Sequence, residues 1–265
     1  MKNYDLIESI KCMASNKEFL AEIDWNSVRG IYKKLSDEFH VLTEPFKVRL
    51  SNELKLQLDH LIIAIDGVDN TLDELEATAV RNSLSSEMIE FLSDNRSIFS
   101  HPQAENTLRE KLNTLKIILS QIDNKSGFIQ ATKDILNFTE LKRHTTDSDQ
   151  LIEFVLKEGT ATAQLPLSII DDSSNDEFRS FFTQLCELMG IVDLIFDLRS
   201  DYNNKLISIK PSLKLYLRLI RISASRSIRL IRAFPKKLSF LIYCMKFAFV
   251  LMLSLIHISE PTRPY

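Results

Sequence analysis

LKLQLDHLIIAIDGVDNTLDELE, residues 54–76, is the segment whose pattern sets the class of fold. Its apolar residues recur every three or four positions, which is the period of one face of an α-helix. Residues 108–119 repeat this pattern, and nearly every other segment has the same period. The sequence therefore predicts an all-α protein. The two stripes consist of Leu54, Leu58, Leu61, Ile62 and Ile65, and of Leu108, Leu112, Leu115, Ile118 and Leu119.

Composition points to the same class. The chain has 265 residues, of which 45% are hydrophobic, with only 5 Gly and 7 Pro. The apolar fraction is sufficient for a real core, which excludes collagen-like, low-complexity and disordered classes. Scarce Gly and Pro leave little room for the tight turns of an all-β protein. We therefore expect a single domain, a bundle of roughly eight to ten helices.

The last thirteen residues, LSLIHISEPTRPY, resemble the conceptual translation of a sequencing-library adapter. We therefore expect a helical domain over residues 1–252, incomplete at its C-terminus, followed by a non-native segment at residues 253–265. The charge of the rest is uneven. Residues 1–204 have 21 basic and 35 acidic side chains, whereas residues 205–252 have 11 basic side chains and no acidic one.

Cysteine usage and the N-terminus suggest a cytoplasmic location. Cys12, Cys186 and Cys244 form no close pair, which favours a reducing compartment over a disulfide framework or a zinc site. Residues 1–8 contain charges and no long apolar run, so no signal peptide is expected. Association with a membrane is left open by the C-terminal stretch discussed below.

A first acidic cluster lies in the segment quoted above. Asp66, Asp69 and Asp73 are spaced three and then four residues apart, so a helix would place them on one face. The apolar run LIIAI immediately before Asp66 predicts that this helix enters from a buried region. Carboxylates at the end of a buried helix favour a metal site. The alternative interpretation is a solvated acidic face.

A second acidic cluster lies in LMGIVDLIFDLRSDYNNK, residues 188–205. Asp193, Asp197 and Asp201 recur every four residues, and the residues between them are mostly apolar. Two such helices facing each other would form a carboxylate-rimmed cavity. Hard oxygen ligands of this kind suit Mg²⁺, which also binds substrate phosphates. A solvated acidic face is again the alternative.

Together the clusters resemble the metal-binding motifs of class I isoprenoid synthases, the all-helical family that includes terpene cyclases and squalene and phytoene synthases. In that family one helix has a DDxxD or DxxxD motif and a facing helix has three ligands spaced four apart. In terpene cyclases the second motif reads Asn, Ser/Thr and Glu, so three aspartates are a departure, closer to the prenyl and squalene synthase branches. The segment EGTATAQLPL, residues 158–167, is also similar to bacterial members. The matching positions are Asp69 and Asp73, with Asp66 as an added ligand, and Asp193, Asp197 and Asp201.

The resemblance implies a lyase or transferase in which up to three Mg²⁺ ions bridge these carboxylates and the diphosphate of a prenyl substrate. Diphosphate would leave, and the allylic carbocation would be cyclised or coupled in an apolar pocket. The pocket candidates are Phe46, Phe181, Phe182 and Phe196. The alternative for each phenylalanine is that it only packs in the hydrophobic core. A homodimer is left open, and the alternative function is a catalytically silent helical protein that binds a lipid, a membrane or a protein partner.

Diphosphate also needs cationic donors. Lys205 follows Asp201 by one helical turn and Arg199 lies between the last two aspartates, so both are candidates. Arg143 is a third candidate, because the resemblance places a diphosphate-sensing arginine near its position.

Residues 210–252 form a basic and apolar stretch that has three interpretations. It lies on an anionic membrane surface, it binds nucleic acid, or it is a late helix of the bundle that balances the acidic part. Nucleic acid ranks last, because no nucleic-acid motif or interleaved aromatic pattern is present. The apolar run 238–252 is interrupted by Lys246 and is shorter than the roughly 20 residues of a membrane-spanning helix. The basic face consists of Lys214, Arg218, Arg221, Arg229 and Arg232.

Overall fold

The computed structural model of the chain consists of helices. It describes residues 20, 23, 37, 41–75, 77–94, 99, 101, 106–170, 174–237 and 240, with Asp66 and Asn70 described in their backbone only. No strand occurs in these residues, which confirms the all-α prediction. A 3-10 turn at Glu44–Phe46 precedes the helices α1 (Asn52–Asp73), α2 (Thr78–Leu92), α3 (Asn106–Gln121), α4 (Lys125–His144), α5 (Ser148–Ile169), α6 (Asp176–Asn203) and α7 (Leu213–Ala233).

Polar residues fix the starts of the last four helices. The side chain of Asn124 accepts a hydrogen bond from the backbone of Gly127, and that of Asn175 accepts one from Phe178. Asp147 and Ser212 act in the same way at the starts of α5 and α7. Each cap satisfies a backbone N–H that has no partner within the helix, so the helix boundaries are encoded locally.

Helix α5 is at the centre of the arrangement. It packs along α4 on one side and along α6 on the other, while α7 packs on α6 and α1 packs on α3. Gly159 permits the close approach of α5 and α6, since a Cβ atom there would lie 2.7 Å from the Cα of Glu187. Helix α1 also touches α5, and Arg143 of α4 contacts Asp73 at the end of α1.

The core has two parts. The larger part joins α1 to α6 and includes an aromatic group around Phe178 and Phe181, and the smaller part lies between α5, α6 and α7. Leu194 and Leu198 of α6 are buried in the smaller part. The aspartate row of the same helix therefore borders a buried face. The smaller core consists of Leu151, Ile152, Val155, Ile191, Leu194, Leu198, Ile207, Leu215 and Leu219.

Among the helices of the described ranges, none is both long enough and apolar enough to cross a membrane.

Candidate functional site

The two predicted aspartate clusters lie near the ends of α1 and α6. Asp69 and Asp73 occupy the last turns of α1, and Asp73 is its final residue. Asp193, Asp197 and Asp201 occupy the second half of α6, one turn apart. Asp201 is half-buried, and the other four side chains are exposed to solvent. Asp66 also belongs to α1, but the structure describes only its backbone.

The structure brings the two clusters to one region. Asp69 of α1 and Asp193 of α6 have the same two charged neighbours, Glu158 of α5 and Lys142 of α4. Asp201 is in turn close enough to Asp73 for the charge on Asp73 to disfavour its own. Four helices therefore contribute charged side chains to a common site, which we call the carboxylate site.

Three of these carboxyl groups hold their protons more tightly than usual. Burial raises the pKa of Asp69 to about 6, and the negative charge of Asp73 adds to this rise. Burial also raises the pKa of Asp193 and of Asp201 to about 6, with Asp197 as the next cause for both. Asp69 and Asp193 remain accessible to solvent, so the neighbouring protein removes only part of the hydration of their carboxylates. Crowded, partly desolvated carboxylates are poised to accept a cation.

Two cations of α4 already engage this site. Arg143 is 7% exposed and donates a hydrogen bond from Nη2 to Asp73. Lys142 forms an ion pair with Glu158, whose carboxylate also accepts a hydrogen bond from Thr139 at 2.6 Å. Successive residues of one helix thus hold carboxylates of α1 and α5.

Arg81 braces this arrangement from α2. Its guanidinium donates to both oxygens of Glu140, at 2.9 Å from Nε and 2.7 Å from Nη2, and from Nη1 to the carbonyl of Leu75 at 2.6 Å. The pKa of Glu140 is lowered, first by this hydrogen bonding from Arg81. Glu140 also lies 4.0 Å from Nε of Arg143, a buried nitrogen without a hydrogen bond. Arg81 and Glu140 therefore fix the end of α4 from which Arg143 reaches Asp73.

The predicted diphosphate donors are in different places. Arg143 lies at the carboxylate site, as described above. Arg199 is two residues from both Asp197 and Asp201, which is about 200° around the helix, so it projects from the opposite side. Lys205 is exposed in left-handed backbone after the end of α6. This geometry does not favour a role for Arg199 or Lys205, and both roles stay predictions.

Three of the predicted pocket residues are in the core. Phe46 and Phe181 have ring centroids 5.0 Å apart, and Phe182 stacks on Phe178 at 5.6 Å. Phe234 closes on Phe46 and Phe181 from the end of α7. Rings packed against rings in this way are typical of a hydrophobic core.

Phe196, by contrast, is 46% exposed on α6. The pocket assignment of all four phenylalanines stays a prediction, and their packing gives it no support.

Sequence reasoning missed Lys142, Glu140 and Arg81, and it did not assign Glu158 to the site. The available signal for Glu158 was its place at the start of EGTATAQLPL, a segment with small residues that suit close helix packing. Lys142 had no signal of its own, because only the packing of α4 against α5 brings it to Glu158.

The donor chemistry of the carboxylate site fits Mg²⁺, since every candidate ligand is a hard oxygen. Among the side chains that the structure describes, however, no three of the Asp, Glu, His or Cys type are already arranged to hold a metal ion. Arg143 and Lys142 occupy Asp73 and Glu158 instead. Binding of a metal by Asp73 or by Glu158 would therefore require that carboxylate to exchange partners.

Comparison with known proteins gives no match: no family model fits the chain, and neither a curated protein nor a solved structure matches it.

Proposed function

We propose that the chain is a Mg²⁺-dependent isoprenoid synthase that releases diphosphate from a prenyl diphosphate and cyclises or couples the remaining allylic cation. The observation that supports this most is the meeting of Asp69 of α1 and Asp193 of α6 around the same two neighbours, Glu158 and Lys142. If the two acidic faces only kept the protein soluble, aspartates more than a hundred positions apart in the sequence would not be expected to lie at one site. The order of the two motifs along the chain agrees with the resemblance to class I synthases.

The carboxylates would divide into two sets that hold the metal. Asp69 and Asp73 form the set on α1, and Asp193, Asp197 and Asp201 form the set on α6. Mg²⁺, when bound, would supply Lewis-acid stabilisation of the diphosphate leaving group. The pKa values of Asp69, Asp193 and Asp201 are raised although Lys142 lies near all three, because burial and like charges together outweigh this cation.

Lys142 and Arg143 would bind the diphosphate oxygens. Both are cations at the carboxylate site, and both hold a carboxylate that a metal would attract in their place. Release of Asp73 would free a guanidinium nitrogen of Arg143, and release of Glu158 would free the ammonium of Lys142. Arg81 and Glu140 would keep the end of α4 in position during this exchange, because they contact each other through two hydrogen bonds. Donation to the leaving oxygens neutralises the charge that develops as the bond to carbon breaks.

The direct test is diphosphate release from geranyl, farnesyl and geranylgeranyl diphosphate with Mg²⁺. We expect the purified protein to release diphosphate from at least one of them. Asp69→Asn and Asp193→Asn should each reduce release on the order of a hundredfold or more. The matched control is Asp123→Asn, an exposed aspartate in the turn before α4, at the opposite end of that helix from Lys142 and Arg143. Release that is absent from all three substrates, or unchanged in both site variants, would contradict the proposal.

The second candidate is a catalytically silent helical protein that binds a lipid, a membrane or a protein partner. The ion pairs Lys142–Glu158 and Arg143–Asp73 favour it, because they satisfy two carboxylates without a metal. Thermal unfolding with Mg²⁺ and inorganic diphosphate distinguishes the two functions. A ligand of the native state raises the melting temperature, so an unchanged melting temperature would favour the silent protein.

A further inference from the structure

Helix α7 presents an apolar stripe to solvent. Leu213, Leu217, Ile220 and Ile228 are between 50% and 75% exposed, although their spacing of four, three and eight residues places them on one side of the helix. The stripe spans fifteen residue steps, about 22 Å along the helix axis. The opposite side of α7 is already used, because Leu215, Leu219 and Leu230 are buried against the bundle. The exposed stripe is therefore a second apolar face.

A row of cations borders this stripe. Viewed along the helix axis, Arg221 lies about 80° around the helix from Leu213, and the other four cations of the row lie within about the next 80°. All five are exposed. One member of the row, Arg218, also pairs with Asp149 of α5, and Arg226, which is not part of the row, pairs with Glu187 of α6. The row consists of Arg221, Lys214, Arg232, Arg218 and Arg229.

No acidic residue lies on or after α7 up to residue 252, whereas residues 1–204 are acidic overall. The combination of an apolar stripe and an adjoining cationic row on one outward face is the pattern of helices that lie in the interface of an anionic membrane. Long Lys and Arg side chains keep their charges at the headgroups while their stems cover apolar surface.

We propose that the outward face of α7 docks the protein on an anionic lipid surface, with Leu213, Leu217, Ile220 and Ile228 inserted among the lipids and the basic row on the headgroups. An anionic lipid surface complements the charge of the basic row and also covers the apolar stripe. A water-soluble polyanion would complement the charge but would leave the apolar stripe uncovered. This inference does not rest on the proposed catalysis, since no residue of the carboxylate site takes part in it.

The experiment is vesicle co-sedimentation of the full chain. One set of vesicles is phosphatidylcholine alone, and the other contains about 30% phosphatidylserine. We expect binding to the second set only, and we expect it to weaken as the salt concentration is raised from about 0.05 to 0.5 M.

Two variants of α7 localise the contact. Leu217→Ser/Ile220→Ser should weaken binding by about tenfold or more. Lys214→Gln/Arg221→Gln should weaken it by roughly 30-fold at low salt. All four positions are exposed, so folding should be retained, and circular dichroism with a melting curve checks this.

Matched controls change the same kinds of side chain on other elements. Val41→Ser/Met189→Ser removes two exposed apolar side chains, and Lys125→Gln/Lys133→Gln removes two exposed cations of α4. Both should bind vesicles as the parent chain does.

Three results would overturn the proposal. The first is vesicle binding that both α7 variants retain, which would assign the contact to another segment such as residues 238–252. The second is binding of an RNA oligonucleotide through α7 without binding of vesicles. The third is a dimer that Leu217→Ser/Ile220→Ser disperses, again without binding of vesicles, which would make the stripe an interface between copies of the chain.

Discussion

Arg143 of α4 donates a hydrogen bond to Asp73, the last residue of α1, across 70 positions of the sequence. The guanidinium is buried, and the carboxylate remains partly exposed. This contact joins a residue that the resemblance assigns to diphosphate binding to one that it assigns to metal binding. The two roles are thus coupled in the folded chain, because a ligand that takes one partner releases the other.

Removal of the Arg143 side-chain charge should destabilise the protein. Arg143→Met would leave Asp73 without its partner and remove a cation from beside Glu140, so we expect a loss of about 2–3 kcal/mol in the free energy of unfolding. The control is Arg218→Met, which breaks the exposed pair with Asp149 and should cost no more than about 0.5 kcal/mol. Urea unfolding measures both. Equal losses in the two variants would show that the burial of Arg143 does not increase its contribution to the free energy of unfolding.

Lys142 should compete with a metal for the carboxylate site. Lys142→Gln removes the cation that lies near Asp69, Asp193 and Asp201, so the unbound protein should lose roughly 1 kcal/mol of stability at neutral pH. The same variant should gain more from Mg²⁺ than the parent chain does, because the metal no longer displaces an ion pair. Melting curves at a series of Mg²⁺ concentrations test both effects.

The control for this variant is Lys157→Gln. It breaks an exposed pair with Glu153, 2.7 Å apart on α5, and should leave the response to Mg²⁺ unchanged. A Lys142→Gln variant with the parental response would place Lys142 outside the metal's reach.

Stability without metal should depend on pH through Asp193. The pKa of Asp193 is about 6 in the folded chain and near 3.9 in an unfolded one, so the folded state binds more protons between these values. The stability that this proton contributes is fully present below pH of about 4 and is lost as the pH rises through about 6. Asp193→Asn removes the cost of the charge, so the variant should be more stable than the parent near neutral pH.

The difference in stability between the two proteins cancels the titrations that do not depend on Asp193, and it includes the titration of Asp201, whose pKa the charge of Asp193 helps to raise. The difference in the free energy of unfolding should shrink as the pH falls from roughly 7.5 to 5. Because Asp193 is solvent-accessible, the difference should stay below the roughly 3 kcal/mol that a pKa shift of two units would give. Urea unfolding across this range, in the presence of a chelator, gives the difference. A constant difference would mean that Asp193 titrates at its ordinary pKa.

Gly159 should be irreplaceable for steric reasons. In Gly159→Ala the new Cβ would meet backbone atoms of α6, the nearest at 2.7 Å, so α5 and α6 must separate. We expect a loss of about 2 kcal/mol or more. Gly67→Ala is the control in α1, because its Cβ would meet only the flexible side chain of Lys111 at 3.0 Å and alanine favours helix by up to about 1 kcal/mol. If both variants melt at the same temperature, the approach of α5 to α6 is looser than described.

The sequence predicted the local features of this chain. The period of three and four in residues 54–76 predicted the helix that the structure places at Asn52–Asp73. Spacing of four also placed Asp193, Asp197 and Asp201 along one edge of α6. These features are readable because they depend on side chains within one or two helical turns.

Only the tertiary structure decided which charges meet. The order α4, α5, α6 across the bundle brings Lys142 to Glu158, and the approach of α1 brings Asp69 to the same pair. It also placed Phe46 and Phe181 in the core. Such contacts join residues far apart in the chain, and they depend on how apolar faces pack, which the spacing of charged residues does not encode.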